Sequence, residues 1–111
     1  MIEVIIREHL YKHLGVPVYL EEPINPPVEY IVFEKTSSSK SDRLCSSTYA
    51  FQSYSSSMYD TANLNNRVKL AVESMIELRE FAKIRLNSDY NYTDTRKKKY
   101  RYQAVFDIYH Y

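Results

Sequence analysis

The last twelve residues, Tyr100 to Tyr111, limit the choice of fold most. Tyr102, Ala104, Phe106 and Ile108 alternate with Arg101, Gln103 and Asp107. A period of two describes a strand with one buried and one wet face. A strand of this kind needs neighbours for its backbone and a cover for its apolar side. The rest of the chain has to supply both.

The cover reads as helical. Ile2, Ile6, Leu10 and Leu14 recur every four residues, with Ile5 and His13 beside them, which predicts a helix over 2–14. Gly15 is the helix stop and Pro17 prevents continuation. A second helix is expected from about Met58 to Glu80. Leu64, Val68, Ala71, Val72, Met75, Ile76 and Leu78 form its apolar stripe, while Asn65, Lys69, Glu73, Glu77 and Glu80 face water. Ser57 and Asp60 resemble a capping box, with Asp standing in for Glu or Gln.

The neighbouring strands are also legible. Val16–Leu20 is short and extended, and Pro17 confines it to an edge or a strand start. Residues 21–27 form a loop stiffened by three prolines. Val28–Lys35 is the strongest strand. Its two apolar faces, Tyr30 and Val32 against Ile31 and Phe33, predict a central strand covered on both sides, or covered by a neighbouring subunit. Residues 36–43 are polar and low in complexity and read as a long mobile connection reaching to about residue 45. Ser46–Ser55 is a strand, residues 81–94 form a further extended stretch, and Thr95–Lys99 turns into the closing strand. The expected fold is one α+β domain over 1–111, a mostly antiparallel sheet of four to five strands packed on two helices. Its uncovered face carries Tyr and polar residues.

Composition narrows the function classes. A chain of 111 residues can bury about two-thirds of its unfolded surface, enough for one core. A formal net charge of +1 argues against a dedicated nucleic-acid or membrane-surface protein. The single cysteine, Cys45, excludes an internal disulfide and suits a reducing cytoplasm. Charges interrupt the apolar N-terminal run, which is the pattern of neither a signal peptide nor a spanning helix. The single glycine leaves little scope for phosphate-cradling loops. The 12 tyrosines offer amphipathic contact area, whether in half-exposed strands or at protein interfaces.

No catalytic, cofactor or metal signature emerges. His9 and His13 are four apart on one helix but lack the HExxH arrangement and a third ligand, so they read as residues at the edge of the core. Cys45 matches no cysteine-hydrolase pattern, and nothing in the sequence places His9, His13 or His110 beside it. Arg96, Lys97, Lys98 and Lys99 form the one dense charge run. With Tyr90, Tyr92, Tyr100 and Tyr102 nearby it could touch phosphate and stack on bases. Equally, it could be a solvated tip whose lysines discourage edge pairing.

The layout resembles that of the small tail-terminator or tail-completion proteins of long-tailed bacteriophages (siphoviruses), a group that includes head–tail joining proteins. The likeness spans nearly the whole chain. It rests on the N-terminal helix, Val16-Pro17-Val18-Tyr19, Pro26-Pro27-Val28-Glu29-Tyr30-Ile31-Val32, Gln52-Ser53-Tyr54 leading into a helix near Tyr59-Asp60, and Tyr100–Ile108. The resemblance implies no enzyme activity and no cofactor or small-molecule substrate. It implies a virion protein of the neck, assembled in a host bacterial cytoplasm as a six-membered ring without membrane contact. Its partners would be other copies of itself, the tail tube protein, the head connector and DNA sliding through the bore. On this reading Arg96–Lys99 are rim or bore contacts, and Ser37, Ser38, Ser39, Lys40, Ser41, Asp42 and Arg43 are an assembly loop. The alternative is a small nucleic-acid-binding module using the Tyr-rich face and the 96–99 run.

Overall fold

Helix α1 spans Ile2–Leu14 in the computed structural model, which describes residues 1–111. Its Ile6, Leu10 and Leu14 are buried, as the four-residue spacing predicts. The helix ends because Gly15 adopts φ 67°, a left-handed conformation that disfavours a side chain, and its N–H donates to Tyr11 O at 2.9 Å. The chain then forms β1 (Val18–Tyr19), β2 (Tyr30–Ser41), β3 (Leu44–Tyr54), α2 (Met58–Ser74), a 3-10 turn (Met75–Glu77), β4 (Phe81–Asn91) and β5 (Arg101–His110).

The five strands form one sheet in the order β1-β2-β3-β5-β4. Three pairings are antiparallel, and only the short β1 lies parallel to β2. The fold is therefore α+β, with β5 held between β3 and β4. Both helices lie on one face, α1 toward β1 and α2 over β3, β5 and β4. Ile31, Phe33, Tyr49, Phe51, Ala104, Phe106 and Ile108 meet Leu64, Val68, Val72 and Met75 in one core. A second small cluster, Tyr30, Val32 and Tyr54, lies apart from it, with Tyr19 packed alongside. The two apolar faces of β2 are thus both used. The helices, however, rest on Ile31 and Phe33, whereas Tyr30 and Val32 belong to the opposite face. Strand alternation allows only one of these pairs on each side.

Four expectations need correction. Residues 36–41 are not a connection: β2 continues to Ser41, and only Asp42 and Arg43 separate it from β3. Ser37, Ser38 and Ser39 face Thr48, Ser47 and Ser46 across the ladder. Backbone pairing with β3 holds this arm, so a lack of apolar side chains does not prevent a strand. Asp42 takes φ 57°, which Asp tolerates better than most residues. Next, α2 stops at Ser74 and tightens into the 3-10 turn, which rotates Ile76 outward to 48% exposure. Asn65 does not face water but is buried, its Nδ2 donating to Asp89 Oδ1 at 2.7 Å. Finally, only half of the capping box forms: Asp60 N–H donates to Ser57 Oγ at 3.0 Å, while Ser56 Oγ approaches the Asp60 carboxylate at 3.5 Å.

Candidate functional site

The basic run sits in an ordered turn. The Asp94 carboxylate accepts from Arg96 N–H at 3.1 Å and Lys97 N–H at 3.3 Å. Backbone bonds between Asp94 and Lys99 close the turn, and Lys98 takes φ 51°. Of the four cations only Lys99 has a carboxylate partner, Glu22 at 2.9 Å. Lys97 and Lys98 flank a depression of about 340 Å³ floored by Pro26, Val28, Tyr54 and Tyr100.

Around Lys99 the open sheet face is linked by polar and aromatic contacts. Tyr30 Oη donates to Glu22 Oε1 at 2.6 Å, and its ring stacks on Tyr54 at 4.5 Å. Lys99 Nζ lies 5.0 Å from the Tyr54 ring centre, and the Arg101 guanidinium lies 4.1 Å from that of Tyr92. Gln52, Gln103 and Tyr90 continue the network along the sheet. Burial pushes the Glu22 carboxyl up, but the Tyr30 and Lys99 bonds and the Lys99 and Arg101 charges outweigh it and hold the group below its ordinary range. Burial, then Glu22, pushes the Tyr30 hydroxyl above the usual phenol range. Tyr30, Tyr54 and Tyr92 therefore each have a ring face already engaged within the chain, which reduces the aromatic surface available to stack bases.

The hairpin arm lies at the other end of the molecule. Cys45 pairs with His110 near the end of β5, whereas Tyr54 pairs with Arg101 at its start. The two groups of candidate residues, 37–43 and 96–99, are thus separated by the length of the sheet, about 30 Å for ten strand residues. They do not form one site.

The structure does place a histidine across from Cys45, which sequence spacing could not reveal. No hydrogen bond joins the two side chains: His110 Nδ1 lies 3.3 Å from Tyr111 O, and Cys45 is a free thiol. His9 ties the helices together, its Nε2 lying 3.1 Å from Ala71 O and 2.8 Å from Ser74 Oγ. Ser74 Oγ already donates to Ala71 O at 2.7 Å, so Nε2 carries the proton and donates. Burial, then the His13 charge, holds His9 below its ordinary pKa. His13 is exposed, and its ring lies 4.0 Å from that of His9, tilted by 31°. No three His, Cys, Asp or Glu side chains converge as a metal site would require.

Exposed apolar side chains occur on α1 (Val4, Tyr11), on β4 and just past it (Leu86, Tyr90, Tyr92), and at two further, unlike places. One is the proline-stiffened loop after β1, where Ile24 is 96% and Val28 73% exposed. The other is the outer side of α2 and its 3-10 turn, with Tyr59, Leu70 and Ile76. The three prolines around Ile24 were the available sequence signal for the first. The second was hidden because Ile76 fits the apolar stripe of an unbroken helix. No helix is long and apolar enough to cross a membrane. The chain matches no protein-family model and no curated protein.

Proposed function

We propose that this chain is a structural virion subunit of the tail-terminator or head–tail joining kind, working as a closed ring in the neck of a long-tailed phage or prophage. The observation that carries the reading is the pair of unlike apolar exposures. One lies at the β1 edge of the sheet and the other on the helix over β3, β5 and β4. A two-fold dimer repeats one patch, whereas a ring joins two different patches on each subunit. The long sheet edges are poor alternatives, since bulges interrupt the register of β2 at Lys35/Ser37 and of β4 at Phe81/Lys83 and Leu86/Ser88. The contacts would then be made by side chains rather than by strand addition.

In this role the protein performs no reaction. Six copies would cap the tail tube and later receive the head connector, with DNA passing non-specifically through the bore. The β2–β3 arm, polar along β2 from Glu34 to Ser41, suits a contact made only during assembly. Native mass spectrometry and sedimentation across the micromolar range test the reading, with electron microscopy of any large species. A six-fold ring is the expected result. A monomer throughout, including in the presence of tail tubes, would sink it.

A further inference from the structure

Helix α2 carries charge of an unfavourable sign at its C-terminal end. Its last turn holds Glu73 and no basic residue, and Glu77 follows in the 3-10 turn. A helix C-terminus favours cations, so these carboxylates face the partial negative charge of the last carbonyls. Helix α1 is arranged the other way: Glu3 is in its first turn, Lys12 and His13 are in its last, and Arg67 donates to Leu14 O at 2.9 Å. Neither Glu73 nor Glu77 has an ion-pair partner within the chain, and exposed Leu70 and Ile76 lie beside them.

At the opposite pole Lys97 and Lys98 are also without ion-pair partners and stand over the depression floored by Pro26, Val28, Tyr54 and Tyr100. Phe81, four residues beyond Glu77, pairs with His110 at the end of β5, whereas the depression adjoins its start. The molecule measures 45 × 24 × 24 Å, so the two patches occupy opposite ends of its long axis. One combines two free cations with an apolar floor; the other combines two free carboxylates with two exposed aliphatic side chains.

We propose that these patches bind each other between copies: Leu70, Glu73, Ile76 and Glu77 of one subunit dock on the Lys97–Lys98 depression of the next. The inference rests on the ring reading and names its interface. Docking brings cations to the α2 C-terminus, whose own last turn carries none. It also covers Val28 and Leu70, which are 73% and 70% exposed in one copy. The contact is head-to-tail, so each subunit keeps one free end until the ring closes.

A charge-swap series tests the contact, with self-association followed by sedimentation at low and high salt. Lys97→Glu with Lys98→Glu should weaken association about tenfold or more, as should Glu73→Lys with Glu77→Lys. Combining all four changes in one chain should restore it, and so should mixing the two double variants. Circular dichroism melts establish that each variant is folded. The neutral pair Lys97→Ser with Lys98→Ser should fall between wild type and the charge reversal. Rings that survive both reversals unchanged overturn this interface while leaving the ring reading intact. A wild-type protein that is monomeric under every condition overturns both. A lysine variant that keeps the wild-type mass but loses retention of short duplex DNA returns these residues to the bore.

Discussion

The two faces of the sheet are stabilised in different ways. The helix-covered face is apolar: Ile31, Phe33, Phe51, Phe106 and Ile108 are fully buried against α1 and α2. The open face is a mosaic in which Tyr30 stacks on Tyr54, Arg101 covers Tyr92, and Asp107 accepts from Thr48 and Arg85. The first depends on area removed from water, which is cheap in specificity and large in magnitude. The second depends on many directional contacts, each modest because water competes for every partner. Tyrosine serves the second face because its ring packs while its hydroxyl stays bonded.

The contrast breaks most readily in the covered core. Val68→Asp buries an unpaired carboxylate among Phe51, Phe106 and their neighbours and should cost about 3–5 kcal/mol, enough to prevent folding. Soluble expression and a circular dichroism melt check it; a cooperatively melting variant would place α2 in another register.

Truncations compare the faces directly. Phe106→Ala should destabilise by about 3–5 kcal/mol, leaving a cavity in a rigid core. Tyr54→Ala on the open face should cost roughly half as much, because loop and solvent can relax into the gap. Denaturant titrations of the two variants give the ratio. Equal losses would mean that the open face is as tightly packed as the core.

The open face should also respond to acid. Burial pushes the Asp107 carboxyl up, but bonds from Asn87, Thr48 and Arg85 outweigh it and hold the group below its ordinary range. A depressed carboxylate contributes stability above the unfolded pKa and loses it as pH falls through the folded one, here below about pH 4. Asp107→Asn should cost about 1 kcal/mol at neutral pH, with the difference from wild type shrinking below pH 4. A pH-independent difference would point to packing rather than charge.

On the covered side, a histidine adds a response in a higher pH range. His9 is held neutral at the helix contact, so the unfolded chain binds its proton first. Stability is therefore complete above the unfolded pKa and declines as pH falls below about 6.5. His9→Gln should flatten that decline in melts at pH 5 to 7, at some cost in stability at neutral pH. The smallest effect on folding belongs to the basic turn. Replacing Arg96, Lys97, Lys98 and Lys99 with serine removes one exposed ion pair, to Glu22, and should change stability by less than about 1 kcal/mol. Under the proposed neck role, the same variant should lower the yield of infectious particles in a plaque assay.

How legible each part was follows from the range of the contacts involved. The α1 stripe, the Gly15 stop, the two-sided β2 and the alternating β5 could be read because periodicity and backbone preference act within a few residues. The candidate site was legible only as a list of charges. Sequence separated Glu22 from Lys99 by 77 residues, and nothing local marks them as partners. The serine-rich arm was misread because composition reports what a segment can bury, whereas its strand state depends on a ladder supplied by β3. Asn65 was misread for a related reason: its helical position looks wet until β4 brings Asp89 against it.

By itself, then, the sequence determined the fold class, the α1 stripe, most of the α2 stripe and the alternation of β5, since these follow from local alternation of side chains along the backbone. Only the tertiary structure decided that the serine-rich segment is a strand, which face of β2 meets the helices, and that the free lysines and free glutamates lie at opposite ends of the molecule. Those outcomes depend on strand order and register, which bring residues far apart in the chain to positions that no local pattern records.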